Sequence, residues 1–320
     1  MSGRFLEGTP VLNKSVCRTL LAALALSLSG PVHAAAPPVR SVIEILDIDT
    51  GVRHEVWRTD KLVEAPNWSR DGKSLVFNGG GRLYRLLVTG GAPVEIPTGQ
   101  ATTNNNDHGL SPDGRWIALS DQGGGKSRVS VVPFEGGAPR LVTPNMPSYW
   151  HGWSPDGATL AFVGERGGNF DIYSIPVGGG PETRLTTDPA PDDGPDYAPD
   201  GTIFLNSARS GRMQIWKMKP DGGEQTRVTS DDAYADWFPH PSPNGKQLIF
   251  LSFAGDVAGH PPDKEVVLRL MPLDGSAPPR VIARLFGGQG TINVPSWSPD
   301  SRRVAFVSYR PLPAGAPSDR

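Results

Sequence analysis

Imidazole suits both metal ligation and proton transfer near neutral pH. Three of the six histidines in this chain fall at comparable places in a repeated pattern. His108 and His151 each stand three residues before the Ser of a Ser-Pro-Asp-Gly string, and His240 stands two before the Ser of its own copy. The four copies other than those of His108 and His151 put Pro66, Pro195, Pro239 and Pro295 at the first of these positions. His108, His151 and His240, joined by Gln289, are expected to converge on one divalent metal ion, with Asp107 and Asp196 steadying the imidazoles from behind. The competing expectation is that each histidine bonds a neighbouring strand and serves packing. Sequence spacing leaves both open.

Asp107, Trp150, Glu165, Arg209, Trp237 and Asn293 make up a wider set of candidate ligand-binding residues. Asp107 closes the polar run Asn104-Asn105-Asn106-Asp107, and Asn293 follows the glycine-rich string Gly287-Gly288-Gln289-Gly290. Trp150 and Trp237, beside Tyr149 and Phe238, suit either the apolar faces of sugars or packing inside the fold. Glu165 and Arg209 are candidates for a base, or for ion pairs at a rim. No catalytic residue can be assigned. A nucleophile elbow of the form Gly-x-Ser-x-Gly does not occur, and its nearest approach, Gly152-Trp153-Ser154-Pro155-Asp156, is a turn of the repeat.

The elements that position these residues are legible in the repeat itself. Its copies are Trp68-Ser69-Arg70-Asp71-Gly72, Leu110-Ser111-Pro112-Asp113-Gly114, Trp153-Ser154-Pro155-Asp156-Gly157, Tyr197-Ala198-Pro199-Asp200-Gly201, Pro241-Ser242-Pro243-Asn244-Gly245 and Trp297-Ser298-Pro299-Asp300-Ser301. The Ser/Ala markers lie at 69, 111, 154, 198, 242 and 298, which gives spacings of 42, 43, 44, 44 and 56. A period near 43 is that of a four-stranded propeller blade. Proline pre-sets φ in each turn, aspartate bonds nearby amides, and glycine accepts positive φ.

Six pairs of inner strands (A and B) are present, but only five outer pairs (C and D) follow them. The missing pair is expected at the other end of the chain, in Ser41 to Asp47 and Val52 to Trp57. The expected fold is therefore all-β: a six-bladed β-propeller of four-stranded antiparallel blades, with the last blade closed by N-terminal strands. Loops from D to A and from B to C emerge on one face and hold most of the irregularity, including an insertion at Ala254 to Glu265. That face is the expected binding face.

These repeats resemble the TolB-like propeller family, whose blades carry the same Ser-Pro-Asp-Gly turn, from about Ser41 to Tyr309. The resemblance implies the six-bladed ring. It does not extend to the α/β domain that precedes the propeller in TolB proper, so a Tol–Pal role is not implied. Two functions remain open. One is a binding module for a peptide, glycan or envelope protein at the channel mouth. The other is a metal-dependent, lyase-like enzyme acting on a sugar or uronate, by analogy with the three-histidine-plus-glutamine site of oligogalacturonate lyases.

Residues 1–34 are expected to be a signal peptide, with Lys14 and Arg18 before the apolar run Thr19 to Gly30 and a small-residue cut after Ala34. The propeller is expected to span 35–310, with 311–320 as a disordered tail. The only cysteine, Cys17, precedes the apolar run, so the mature chain would rest on packing without disulfides. The leader carries Arg4, Lys14 and Arg18 against Glu7, a net +2, so its removal takes the formal charge from −2 to −4. No basic field recruits nucleic acid. The apolar run is shorter than the roughly 20 residues of a membrane span. A periplasmic or secreted location follows from this reading.

Overall fold

Strand-forming segments alternate with Gly/Pro/Asp turns throughout. The structure, a computed structural model describing residues 39–313, contains no helix among the described residues. The expected leader and most of the expected tail lie outside those residues. Blade one comprises strands Val63–Trp68, Ser74–Gly79, Arg82–Leu87 and Val94–Ile96. The next three blades begin with the inner strands Asn104–Leu110, Ser148–Trp153 and Asp192–Tyr197. Blade five runs Tyr234–Pro241, Gln247–Ala254, Lys264–Pro272 and Arg280–Gly287. All five are four-stranded antiparallel sheets in simple sequential order.

The sixth blade confirms closure by the N-terminus. Val39–Asp47 pairs along its whole length with Arg303–Pro311, from Val39 opposite Pro311 to Asp47 opposite Arg303. Its other edge pairs with Arg53–Thr59. Val42, Ile43, Ile45 and Leu46 are completely buried in the blade. Buried Glu44 accepts bonds from Arg53 at 2.6 Å and from Ser308 at 2.5 Å, so this carboxylate is paired.

The innermost strand of this blade is reduced to one bridge, between Trp297 and Val304. Its backbone still accepts from Ala305 and Val307 N–H at Ser296 and Thr291, and it bonds sideways as well. The Gly290 carbonyl accepts from Ala65 N–H of blade one, and the Ile292 carbonyl lies 2.7 Å from His240 Nε2 of blade five. Pro295 has no amide to offer a ladder. Thus a segment expected as a strand becomes a stitch between its neighbours.

The recurring turn has the expected mechanism. In blade three, Ser154 Oγ donates to Asp156 Oδ1 at 2.6 Å, and the same carboxylate accepts from Ala158 N–H at 3.0 Å. The motif tryptophans also tie blades together. Trp153 Nε1 donates to the Gly109 carbonyl at 3.1 Å, and Trp297 Nε1 to the His240 carbonyl at 2.8 Å.

Candidate functional site

Every regular inner strand carries a register shift just before its turn, for example between Glu64 and Asn67, Asp193 and Asp196, and Trp237 and His240. Such bulges re-aim side chains. Ala65, Gly194 and Phe238, each four residues before its marker, have φ of 58°, 59° and 55°. Each precedes a proline. In the two blades with histidine in place of that proline, the preceding residue is absent from the positive-φ set. The bulge therefore differs between histidine and proline blades, and side chains at matching repeat positions do not share one direction.

On the irregular-loop face lies a cavity of about 470 Å³. The positions five before the marker supply Glu64, Asn106, Tyr149 and Asp193 to its wall. Asp107 and Phe238 come from four before, and His151 from three before. B-to-C loops, the start of strand Asn169–Pro176 and the loop into blade six add Gln122, His260, Phe170 and Gln289. Among the described residues that line it, none is lysine or arginine. A second cavity, at the opposite ends of the inner strands, is walled by motif tryptophans and by turn prolines such as Pro112, Pro155 and Pro199.

The carboxylates and imidazoles of the first cavity are coupled. His151 Nε2 lies 3.3 Å from Asp193 Oδ1, and His260 Nε2 lies 3.6 Å from Asp193 Oδ2. Burial pushes the Asp193 pKa up, but the two imidazoles and the Gly194 amide outweigh it and hold it below the usual carboxylate range. Burial lowers the His151 pKa, yet Asp107 and Asp193 together leave it raised. Asp107 is raised by burial and by the neighbouring Asp193 charge, despite amide bonds from Asn105 and from Asn293 at 2.9 Å. The insertion thus has a definite role in the wall. It carries His260 onto the faces of Trp237 and Phe238, at 4.6 and 5.4 Å between ring centroids.

The expected four-ligand convergence is not what the geometry gives. Only His151 and Gln289 of that set line the cavity. His108 is fully buried, with Nε2 3.5 Å from the Val76 carbonyl of blade one. His240 bridges Asp196 Oδ2 of blade four, at 3.0 Å, and the Ile292 carbonyl. Both imidazoles point between blades because the bulges turn them there. Asp196 does steady an imidazole, but the one that serves the seam. Among the described residues no cluster of three His, Cys, Asp or Glu side chains has metal-holding geometry.

The wider set also divides. Asp107 lines the cavity and Asn293 supports it from behind. Trp150 is completely buried between blades, and Trp237 is 4% exposed in the core of blade five, so neither presents a free ring face. Arg209 holds Asp192 with two bonds of 2.9 and 3.0 Å and lies over Trp216, which makes it a brace within blade four. Glu165 sits at the end of Thr159–Arg166, outside the cavity lining. Sequence reading missed Glu64, Asp193 and His260. The signal for the first two was present, since position five before the marker faces the cavity in four blades.

His108 supplies a pH-dependent prediction. Burial pulls its pKa down to about 4. The unfolded chain takes up a proton near pH 6.5, whereas the folded chain resists it. This site should therefore cost about 3 kcal/mol of stability as pH falls from 6.5 to 4, and little more below that. Denaturant titrations of wild type and His108→Gln across this range should diverge by that amount, with the variant flatter. Parallel profiles would refute the assignment.

The ring of six sheets defines a six-bladed β-propeller, with its variable loops gathered over a polar cavity. A family model described as the TolB beta propeller domain matches residues 147–260. An uncharacterised protein of Agrobacterium fabrum is 51% identical over 276 residues, covering 86% of this chain and 94% of that protein. A solved structure from Agrobacterium tumefaciens that carries the TolB name has a TM-score of 0.83 at 50% identity, covering 86% of this chain and 99% of that one. The Tol-Pal system protein TolB of Francisella tularensis is 35% identical over 94 residues, 27% of this chain and 21% of that protein. The chain belongs to the TolB-like β-propeller family.

Proposed function

We propose that this chain is a non-catalytic binding propeller of the cell envelope, exported by its leader, whose channel mouth receives a segment of a protein partner. The observation that carries this reading is the 470 Å³ cavity on the variable-loop face, walled by Glu64, Asp107, Asp193, two imidazoles and amides. Such polar concavities on a rigid scaffold orient ligands by hydrogen bonds and charge. The Tol-Pal name of the Francisella relative agrees with a protein partner. Among the described residues no helix is long and apolar enough to cross a membrane. A uronate would bring its carboxylate toward three acidic side chains, with no lysine or arginine among the described residues of the wall, which favours the binding reading over a uronate lyase.

The test is site-specific photo-crosslinking in living cells. A photoreactive residue at Phe170, on the cavity wall, should give a discrete protein adduct that disappears when Asp193→Asn is added. The same residue at Trp116, 38% exposed beside the turns of the other face, should not. Equal adducts from both faces, or adducts from Trp116 alone, would overturn the proposal.

A further inference from the structure

We propose that the cavity at the turn end of the inner strands is a second site, which takes a small organic acid through Arg70. It is separate from the loop-face mouth and does not depend on what that mouth receives. Five of the six repeat turns carry proline directly after the marker, at Pro112, Pro155, Pro199, Pro243 and Pro299, and the remaining one carries Arg70. Three of those prolines pack over the turn glycine of the next blade. A Cβ on Gly72, Gly157 or Gly245 would stand 3.8, 3.6 or 3.9 Å from the ring of Pro299, Pro112 or Pro199. Arg70 covers Gly114 in the same way with its Cγ and Cβ, at 3.0 and 3.2 Å. The stem of Arg70 thus fills proline's place, and its guanidinium is an addition that the turn does not require.

The guanidinium is anchored along one edge. Nε donates to the Ser111 carbonyl at 3.0 Å and Nη2 to the Leu110 carbonyl at 3.2 Å, which fixes the plane of the fork. Among the described residues no hydrogen bond engages Nη1. The end-on edge, Nη1 with the second N–H of Nη2, is left for a carboxylate, whose two oxygens match that geometry.

The charge of Arg70 is not cancelled in the wall. The acids whose charges reach it are Asp196 and Asp113. Asp113 is spent on Arg115 at 2.6 Å. Asp196 Oδ2 lies 3.0 Å from His240 Nδ1, and His240 Nε2 lies 2.7 Å from the Ile292 carbonyl, which accepts a proton from it. One further proton must then lie between Nδ1 and the carboxylate, and the pair is net neutral whichever of the two holds it. Asp196 is the only acid among the described lining residues, and Arg70 the only lysine or arginine.

Size and the remaining wall set the rest of the ligand. The cavity holds about 220 Å³, below the roughly 300–1,000 Å³ of pockets for drug-sized ligands. Trp68, Trp153, Trp297 and the turn prolines give it an apolar surround. A flat ring or a short acyl chain bearing one carboxylate fits such a space. Trp153 and Trp297 spend their indole N–H on inner-strand carbonyls. Trp68, two residues before Arg70 and only 4% exposed, has no partner for Nε1 among the described residues. An unmet buried donor in the same wall as the free cation favours a ligand made of acceptors.

Titration with benzoate, followed in the indole region of nitrogen–proton correlation spectra of the whole exported chain, tests this. The Trp68 signal, identified by its loss in Trp68→Phe, should move saturably with benzoate and stay still with benzamide, the uncharged isostere. Arg70→Gln should weaken benzoate at least about tenfold, as expected when one partner of a charge-assisted pair is removed. Arg70→Pro, which installs the residue of the other five turns, should weaken it equally and keep the wild-type thermal transition, so that the loss is not one of folding. Arg302→Gln, on the exposed turn of blade six, makes the same change in charge as Arg70→Gln and should leave binding intact. Absence of benzoate binding, equal binding of benzamide, unchanged affinity in Arg70→Gln, or equal weakening by Arg302→Gln would each overturn the site.

Discussion

Deletion of residues 39–59 is expected to abolish cooperative folding. These residues form the two strands that complete blade six, and the first pairs with Arg303–Pro311 over its full length. Without them Arg303–Pro311 would keep only the irregular bonding to Thr291–Ser298 on one side and expose a nine-residue edge on the other. Val307, Phe306 and Ala305, all completely buried, would lose their cover. Ser41 Oγ would no longer accept from Val63 N–H at 3.1 Å, which ties the closing blade to blade one. A folded domain is worth only about 5–15 kcal/mol in total, and the deletion removes two strands of core and every cross-strand bond they make. An exposed edge of this length also templates aggregation. Circular dichroism melting and light scattering read the result. A truncated chain with the wild-type transition would show that the ring closes by some other means.

Trp150→Ala should destabilise the protein by about 3–5 kcal/mol, the range for deletion of a large buried aromatic. Trp150 is completely buried with Ala118, Val131 and Phe162, and its backbone N–H donates to Ser120 Oγ of blade two at 2.8 Å. Its ring occupies the space that a side chain at Gly109 would take. A Cβ there would sit 2.2 Å from Cη2 of the tryptophan. Gly109→Ala should accordingly cost about 1–3 kcal/mol by overpacking the same contact from the other side. The indole nitrogen has no hydrogen-bond partner among the described residues, so the loss from Trp150→Ala is one of packing and not of a polar bond. Denaturant unfolding measures the cost. Wild-type stability of Trp150→Ala would show that the indole does not hold the core together.

The architecture was legible because each blade repeats its punctuation. Six Ser-Pro-Asp-Gly-like turns at near-constant spacing fix the strands around them, and a count of outer strands points to Ser41 to Asp47 and Val52 to Trp57 as the missing pair, observed as Val39–Asp47 and Arg53–Thr59. The site was legible only in part. Asp107, His151 and Gln289 reach the cavity, whereas His108 and His240 do not. Equivalent sequence positions share a direction only if the backbone between them is the same, and here the bulges differ between proline and histidine blades. Asp193 was hidden by its plain setting in Pro191-Asp192-Asp193-Gly194-Pro195, which reads as a turn. His260 was hidden because nothing in an insertion's sequence says where its tip will rest.

The pairing of Val39 with Pro311 has a topological consequence. These two ends of the closing blade are cross-strand partners, an antiparallel pair's spacing of about 5 Å apart. A few residues of linker between these two positions would turn the propeller segment 39–311 into a circle without moving any blade. A circle can be opened wherever its backbone is exposed and bears no load, such as the Gly178-Gly179-Gly180 turn on the outer part of blade three. The present order of blades is then one of several equivalent readings of a cyclic object. What makes it a particular protein is the one sector, from the insertion at His260 through the stitched segment to blade one, where the rotational symmetry of the ring is broken.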